Sequence, residues 1–173
     1  MRSFPRLEYE QTTSPIIQLS SVRVPKLVLL MIFMLLFTTQ VFSEQQLAAF
    51  GKGTVEMGNQ GFTLSVEVAS TEKQRSIGLM YRDYLDLNKG MLFIFEHPAI
   101  QRVWMKNTLI PLDVLFVSAQ GEIVSIHKSL QPCVKKFCEI YDSIGIAKYM
   151  LEMNAGVVKK EKLKVGMMVF LSL

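Results

Sequence analysis

Residues 90–126 read GMLFIFEHPAIQRVWMKNTLIPLDVLFVSAQGEIVSI, and this stretch decides the fold of the chain. Three apolar runs in it are too short for helices and rich in aromatic and β-branched residues, so they predict strands at 91–95, 103–105 and 112–117. A turn at 119–121 ends in glycine, which tolerates a positive φ, and leads into a fourth predicted strand at 122–126. Between the runs lie polar residues that a core would not favour: Arg102, Lys106, Asn107, Thr108 and Asp113. The stretch therefore predicts a sheet with a polar candidate site beside it.

The segment before this stretch predicts a hairpin and a helix. Residues 62–68 alternate apolar and polar side chains, which is typical of a strand with one face on a core and the other in water. Thr71 and Gln74 form a capping-box pattern that predicts the start of a short helix. On that helix Arg75, Leu79 and Arg82 would share a face.

The complete pattern predicts a mainly β domain. Residues 129–143 are predicted as a loop, and the other predicted elements are strands at 54–57, 149–153 and 167–171 and a short basic helix at 157–163. About eight short strands and two short helices favour an antiparallel sandwich or barrel with helices at its ends. A parallel α/β fold is disfavoured because too few crossover helices are available.

The N-terminal segment predicts export. An apolar run at 27–37 follows Arg23 and Lys26 and precedes TTQVFS, which is the pattern of a secretory signal cleaved after Ser43. As a helix the run would extend about 16 Å against a hydrocarbon core of roughly 30 Å. The alternative is an uncleaved membrane anchor. The long segment at 1–22 is interpreted as an N-terminal extension, with translation starting near Val22 or Val24.

Processing would leave a single domain in the periplasm or cell envelope. We expect a linker at 44–53 and one β domain at 54–173. Residues 44–173 hold 15 of the 19 Lys and Arg and 13 of the 15 Asp and Glu residues, a net charge of +2. A nucleic-acid partner is therefore not predicted, because such binding needs a concentrated basic face. Membrane contact is expected only through an uncleaved N-terminal segment.

The two cysteines, Cys133 and Cys138, predict a disulfide, since they lie close together in a chain with an export signal. Their spacing is not that of a C-x-x-C redox motif. Zinc would need His127 and a distant ligand such as His97, so no metal is predicted. The eight methionines of residues 44–173 lie scattered on predicted strands, which favours core filling over copper binding. No cofactor is predicted.

Four blocks of residues resemble one protein family. They are GLMxR at 78–82, GMLFxF at 90–95, WMKNTxIPLD at 104–113 and LExxAG at 151–156. Together they resemble, in order, the domain of unknown function 192 family over most of 54–171. The resemblance implies a compact β-sandwich-like domain behind a signal or anchor, with a cysteine pair near Cys133 and Cys138 in exported members. It implies no activity. Leu109, in the N-T-x-I-P segment, occupies a tolerant position.

Asp113 is flanked by apolar residues, where an unpaired carboxylate would cost several kcal/mol. It therefore needs a partner, and the cations available are Lys106, Arg102, Arg75 and Arg82. One alternative is a buried ion pair, or a carboxylate that accepts backbone N–H groups. The other is a place in a functional site.

The polar cluster predicts a ligand site. Trp104, Lys106, Asn107 and Thr108 combine a stacking surface, a cation and two neutral hydrogen-bonding groups, and Arg75 and Arg82 could add positive charge. Such groups suit a small polar or anionic ligand, or a sugar ring stacked on the indole. Glu152 could complete the site or an ion-pair network.

The sequence is compatible with three functions. The preferred one is an exported accessory domain that binds a small polar or anionic ligand. The second is a hydrolase of an envelope saccharide or ester with Asp113 and Glu152 as acid and base. The third is a structural or protein-interaction module. A cleft that contains Asp113, Lys106 and Glu152 would favour the first two, and a sealed ion pair would favour the third.

Overall fold

The computed structural model describes residues 49–58 and 61–173, together with Pro25, Lys26 and Met31. Outside these residues lie the predicted N-terminal extension, most of the predicted signal peptide and residues 44–48 of the predicted linker. No helix within the described ranges is long and apolar enough to span a bilayer.

The described residues form nine strands and two short helices. In chain order these are β1 (Gly51–Met57), β2 (Phe62–Ala69), α1 (Glu72–Ile77), β3 (Lys89–Ala99), β4 (Arg102–Trp104), β5 (Leu112–Val117), β6 (Ile123–Leu130), β7 (Ile140–Asp142), β8 (Ala147–Asn154), α2 (Val157–Lys160) and β9 (Val169–Ser172). The mainly β prediction, with two short helices, is confirmed.

Seven strands form one sheet in the order β6-β5-β8-β3-β2-β1-β9, and β4 and β7 form a separate ribbon. All neighbouring strands are antiparallel except β2 and β3, which are parallel and joined by the crossover that contains α1. The two edges of the large sheet approach each other. Glu122 forms an isolated antiparallel bridge with Met168, and Ile123 N–H donates to Met167 O at 2.9 Å. The sheet is therefore curled into the predicted barrel-like form.

Both faces of this sheet are buried at β5, where all six residues are inaccessible. One face packs on an inner core that includes Leu64, Leu115, Leu151 and Met153. The other face packs on an outer core that includes Leu79, Met91, Phe93, Phe116 and Met150. Side chains alternate along a strand, so neighbouring residues on β5 and β8 belong to different cores.

The predicted capping box is confirmed. Gln74 N–H donates to Thr71 Oγ1 at 3.2 Å, and Thr71 N–H donates to Gln74 Oε1 at 3.0 Å. The helix ends at Ile77, because Gly78 leaves the helical conformation with φ +48°. The prediction that Arg75, Leu79 and Arg82 share a helix face is therefore wrong.

Other boundaries also differ from the sequence predictions. β1 begins at Gly51, inside the predicted linker, since Gly51 and Gly53 pair with β2. β7 lies inside the predicted loop at 129–143, because its three residues form a strand only by pairing with β4. The predicted helix at 157–163 contains only α2, which ends at Lys160.

Candidate functional site

A cleft of about 210 Å³ opens between α1 with its following turn, β3, the ribbon strand β4 and β8. Its charged lining residues are Glu72, Arg75, Arg102, Lys106 and Glu152, and its aromatic ones are Phe93, Phe95 and Trp104. Phe93 and Phe95 occupy alternate positions of β3, so they face the same side of the sheet. The cleft therefore has apolar walls, three cations and one deeply placed carboxyl group.

Glu152 is the buried acid of this cleft, with 6% of its surface exposed. The register of the sheet places it between Met91 of β3 and Val114 of β5. In the part of the chain that the structure describes, its carboxyl group makes no hydrogen bond or ion pair to another side chain. Burial raises the pKa of Glu152 to about 8. At neutral pH the group is therefore mostly protonated and can donate a hydrogen bond.

Arg75 is held firmly in the cleft wall. Its Nη1 donates to Ser70 O at 2.6 Å and to Ile94 O at 3.0 Å, and its guanidinium carbon lies 5.9 Å from the centre of the Phe95 ring. Its Nη2 lies 3.5 Å from Glu96 Oε1, a carboxylate that is largely exposed. An exposed partner of this kind neutralises the guanidinium only weakly. Arg75 therefore combines a fixed position with residual positive charge.

Arg102 and Lys106 supply the other two cations. Arg102 Nε lies 3.2 Å from Asp142 Oδ1 in an exposed ion pair. Lys106 Nζ donates to Lys135 O at 2.6 Å. This acceptor is a neutral carbonyl group, so the contact does not neutralise the charge of the ammonium group. Both side chains can shift toward a ligand at low cost, because exposed pairs contribute little.

A clasp of backbone bonds positions the loop that carries Lys106. Asn107 has φ +54°, its N–H donates to Cys133 O at 2.9 Å, and Cys133 N–H donates to Met105 O at 3.2 Å. Tyr81 N–H donates to Asn107 O at 2.8 Å, and Asn107 Nδ2 donates to Tyr81 Oη at 2.7 Å. Asn107 thus joins two walls of the cleft. Thr108 is buried, and it lines the cleft directly.

The predicted disulfide between Cys133 and Cys138 is present. It closes a tight loop next to the clasp, since Cys133 bonds to both Met105 and Asn107. The disulfide therefore braces the segment from which Lys106 extends.

Asp113 lies away from the cleft. Its Oδ1 accepts Ser129 N–H and its Oδ2 accepts Val158 N–H, each at 2.8 Å, and only 1% of its surface is exposed. Ser129 has φ +53° at an irregularity in the β5–β6 pairing. Of the alternatives for this residue, the structure has the carboxylate that accepts backbone N–H groups. Asp113 pins a bulge and the start of α2 to the sheet.

Asp113 and Glu152 are not brought together. Asp113 pairs with Met153 and Glu152 pairs with Val114, so the two carboxyl groups point to opposite faces of the sheet. The paired acid and base that a hydrolase would need is not formed by these two residues. The cleft holds Lys106 and Glu152 without Asp113.

Arg82 pairs with Glu67 through two contacts, Nη1 to Oε1 at 2.5 Å and Nη2 to Oε2 at 2.8 Å. This pairing lowers the pKa of Glu67 and raises the pKa of Arg82. Arg82 also lies over Phe50, with 5.8 Å between its guanidinium carbon and the ring centre. Arg82 was predicted to bind a ligand, but it forms an ion pair with Glu67 and is not among the residues that line the cleft.

The cleft is also lined by residues that were not predicted from the sequence, namely Phe93, Phe95 and Glu72. The signal for the two phenylalanines was their spacing of two on a predicted strand, which puts them on one face. Glu72 carried no comparable signal, because an acidic residue in the first turn of a helix is common. Among the described residues, no group of three His, Cys, Asp or Glu side chains is arranged to hold a metal ion. His127 Nε2 instead lies 3.0 Å from Asp142 O.

Comparison with known proteins gives one matching family and two similar solved structures. Residues 54–171 match the family model of DUF192, described as "Uncharacterized ACR". A solved chain from Sinorhizobium meliloti 1021, described as a putative transcription regulator, is 37% identical with a TM-score of 0.65; the match covers 71% of this chain and 95% of that one. A protein of unknown function from Novosphingobium aromaticivorans DSM 12444 is 28% identical with a TM-score of 0.63, over 68% and 83% of the two chains. No curated protein matches the chain.

Proposed function

The chain belongs to the DUF192 family, and from its own geometry we propose that its domain binds a small polar or anionic ligand in the cleft above Glu152. The observation that carries this proposal is the buried carboxyl group of Glu152, which faces the cleft and has no side-chain partner among residues 49–58 and 61–173. A hydrogen bond between a ligand and this group would form in a site largely shielded from bulk water, where such bonds are electrostatically stronger.

The charges around the cleft favour an anionic ligand. Arg75, Arg102 and Lys106 line the cleft together with Glu72, and protonation leaves Glu152 neutral near pH 7. A carboxylate or phosphate could accept hydrogen bonds from the guanidinium groups and from the protonated Glu152. Trp104, 52% exposed at the cleft, offers a face for an aromatic ring or a sugar.

Enrichment from a cell extract tests this proposal. The full chain is incubated with small molecules extracted from the source cells, recovered by gel filtration, and its bound compounds are identified by mass spectrometry. We expect an anionic compound to be enriched by the wild type. The double variant Arg102→Gln, Lys106→Met should bind it at least about tenfold less, because each charge-assisted hydrogen bond contributes roughly 1.5–3 kcal/mol.

The matched control is Lys128→Met, which removes an exposed lysine that is not among the cleft-lining residues. It should bind as the wild type does. Equal enrichment by the wild type and the double variant, or no enrichment by the wild type, would leave a structural or interaction role as the better account.

We also propose that the domain acts after export, in the periplasm or cell envelope. The support is the signal pattern that ends at Ser43 together with the disulfide between Cys133 and Cys138. The intact mass of the protein from the periplasmic fraction should correspond to a chain that begins at Glu44. Alkylation without prior reduction should add no mass. A chain that retains residues 27–37 in the membrane fraction would instead support the anchor.

A further inference from the structure

The ribbon of β4 and β7 has an outer face of which only Arg102 and Trp104 also line the cleft. Its register pairs Arg102 with Asp142 and Trp104 with Ile140. Ser143 N–H donates to Gln101 O at 2.8 Å, so the pairing extends one residue beyond β4 and β7, and the exposed Ile100 and Ile144 flank this end of the ribbon. Side chains two residues apart on a strand share a face. We call these six residues the ribbon face.

The apolar members of the ribbon face are strongly exposed. Ile144 is 85% exposed and Ile140 58%, and Trp104 and Ile100 are about half exposed. The intervening residues Val103 and Tyr141 turn inward and pack on the outer core. Single exposed apolar residues are ordinary, but a continuous row of them marks an interaction surface.

The disulfide loop lies beside the end of β4, where Cys133 bonds to Met105 and Asn107, and it adds exposed apolar residues and positive charge. Phe137 is 82% exposed, Val134 is 72% exposed, and between them lie Lys135 and Lys136, both exposed. Lys136 Nζ lies 5.4 Å from the centre of the Phe137 ring. The bond from Lys106 Nζ to Lys135 O brings a third ammonium group to the loop. On the ribbon face itself, Arg102 and Asp142 offset each other.

We propose that the ribbon face and the disulfide loop dock the folded domain on an anionic lipid bilayer. A bilayer surface combines an apolar layer with negative headgroups, and these complement the exposed Phe137, Trp104 and isoleucines and the three lysines. Trp and other aromatic side chains favour this interfacial layer. The disulfide closes the loop covalently, so less conformational freedom is lost on docking.

Quenching of Trp104 by brominated lipid tests the proposal, because the chain contains a single tryptophan. The full chain is titrated with vesicles of phosphatidylglycerol or phosphatidylcholine that carry dibrominated acyl chains. We expect Trp104 to be quenched by phosphatidylglycerol and much less by phosphatidylcholine, and the quenching to weaken as salt is added. Because Trp104 reports locally, a membrane interaction of residues 27–37 does not by itself produce this signal.

Two variants separate the apolar and the charged contributions. Phe137→Ser should weaken the apparent affinity for phosphatidylglycerol vesicles about tenfold or more, as expected for losing the burial of one phenylalanine. Lys135→Glu combined with Lys136→Glu should weaken it by a similar factor or more, since each basic residue near an anionic surface contributes roughly a fivefold effect. The controls are Phe170→Ser and the pair Lys159→Glu, Lys160→Glu, which alter exposed residues on other elements.

Equal quenching by both lipids, or equal losses in the loop variants and their controls, would overturn the proposal. A Trp104 emission that changes with protein concentration in the absence of vesicles, together with a dimer on gel filtration, would assign the same face to a second copy of the chain instead.

Discussion

At the scale of single residues, two buried carboxyl groups on adjacent strands have opposite environments. Asp113 accepts two backbone N–H groups, whereas Glu152 has apolar neighbours on its strand partners and opens on a cleft. Desolvation favours the protonated form of Glu152. The separation of the two carboxyl groups onto two faces of one sheet explains how one residue supports the fold while the other is available to a ligand.

The raised pKa of Glu152 predicts a pH-dependent stability. Burial raises this pKa from 4.5 to about 8, so the folded state holds the proton more tightly than the unfolded chain does. The free energy of unfolding is therefore highest below about pH 4.5. It falls as the pH rises through 8, by roughly 1.4 kcal/mol per pH unit. Urea unfolding from pH 5 to 9 should show this decline in the wild type and lose it in Glu152→Gln. The exposed control Glu56→Gln should retain the full decline.

The two bonds of Asp113 predict a purely structural effect of its replacement. In Asp113→Asn the amide presents N–H groups where one backbone N–H needs an acceptor, so a buried donor is left unpaired. We expect a loss of about 1–3 kcal/mol in the free energy of unfolding. Lys106→Met should change it by less than about 0.5 kcal/mol, as is usual for exposed side chains. A double variant whose loss falls well below the sum would contradict this assignment, because it would indicate an ion pair between the two.

At the scale of elements, the cleft depends on contacts between segments distant in the chain. The turn after α1, the loop after β4 and the disulfide loop are joined by the bonds of Asn107 with Tyr81 and Cys133. Each segment is irregular by itself, and the positive φ of Asn107 and Tyr81 persists because the surrounding bonds hold it.

Removal of the disulfide should therefore affect the cleft as well as the stability. In Cys133→Ser combined with Cys138→Ser we expect a loss of about 2 kcal/mol from the chain-entropy effect of a short loop. Amide exchange should accelerate most at positions 107 and 133, whose N–H groups form the clasp. Amides of the β1–β2 hairpin should accelerate only by the global loss. Uniform acceleration across the domain would show that the disulfide does not brace the cleft specifically.

At the scale of the whole molecule, the curl of the sheet creates the inner core. The turn between β5 and β6 brings Gly121 against β9, where its φ is +88° and Val169 N–H donates to Gly121 O at 2.7 Å. A Cβ at this position would lie 2.7 Å from Val169 O. Closure therefore requires a residue without a side chain at 121.

Gly121→Ala should destabilise the domain by more than Gly156→Ala. Both glycines have a positive φ, so both variants introduce similar backbone strain of roughly 1 kcal/mol. A Cβ at Gly156 meets no atom within 4 Å, whereas the one at Gly121 meets backbone. Urea unfolding should show an additional loss of about 1 kcal/mol or more in Gly121→Ala. Equal losses would show that the approach of the two edges contributes little to stability.

Local patterns determined much of this protein in advance. The strand at 112–117, the capping box at Thr71, the hairpin turn at Gly121 and the disulfide follow from neighbouring residues, and the resemblance in four blocks identified the family. Of the six residues predicted to bind a ligand, Trp104, Lys106, Thr108 and Arg75 line one cleft, and their binding of a ligand stays a prediction. These features could be predicted because periodicity, capping and loop closure act over a few residues.

Tertiary structure decided which face each buried group meets. β7 exists only through its pairing with β4, and the edges of the sheet meet only when residues 122 and 168 come together. The sequence could identify Asp113 and Glu152 as acids among apolar neighbours, but their roles depend on register. Asp113 accepts hydrogen bonds from the backbone N–H groups of residues 129 and 158, whereas Glu152 lines the cleft. A one-residue change of register exchanges the two faces of a strand, and register is set by the packing of the complete sheet.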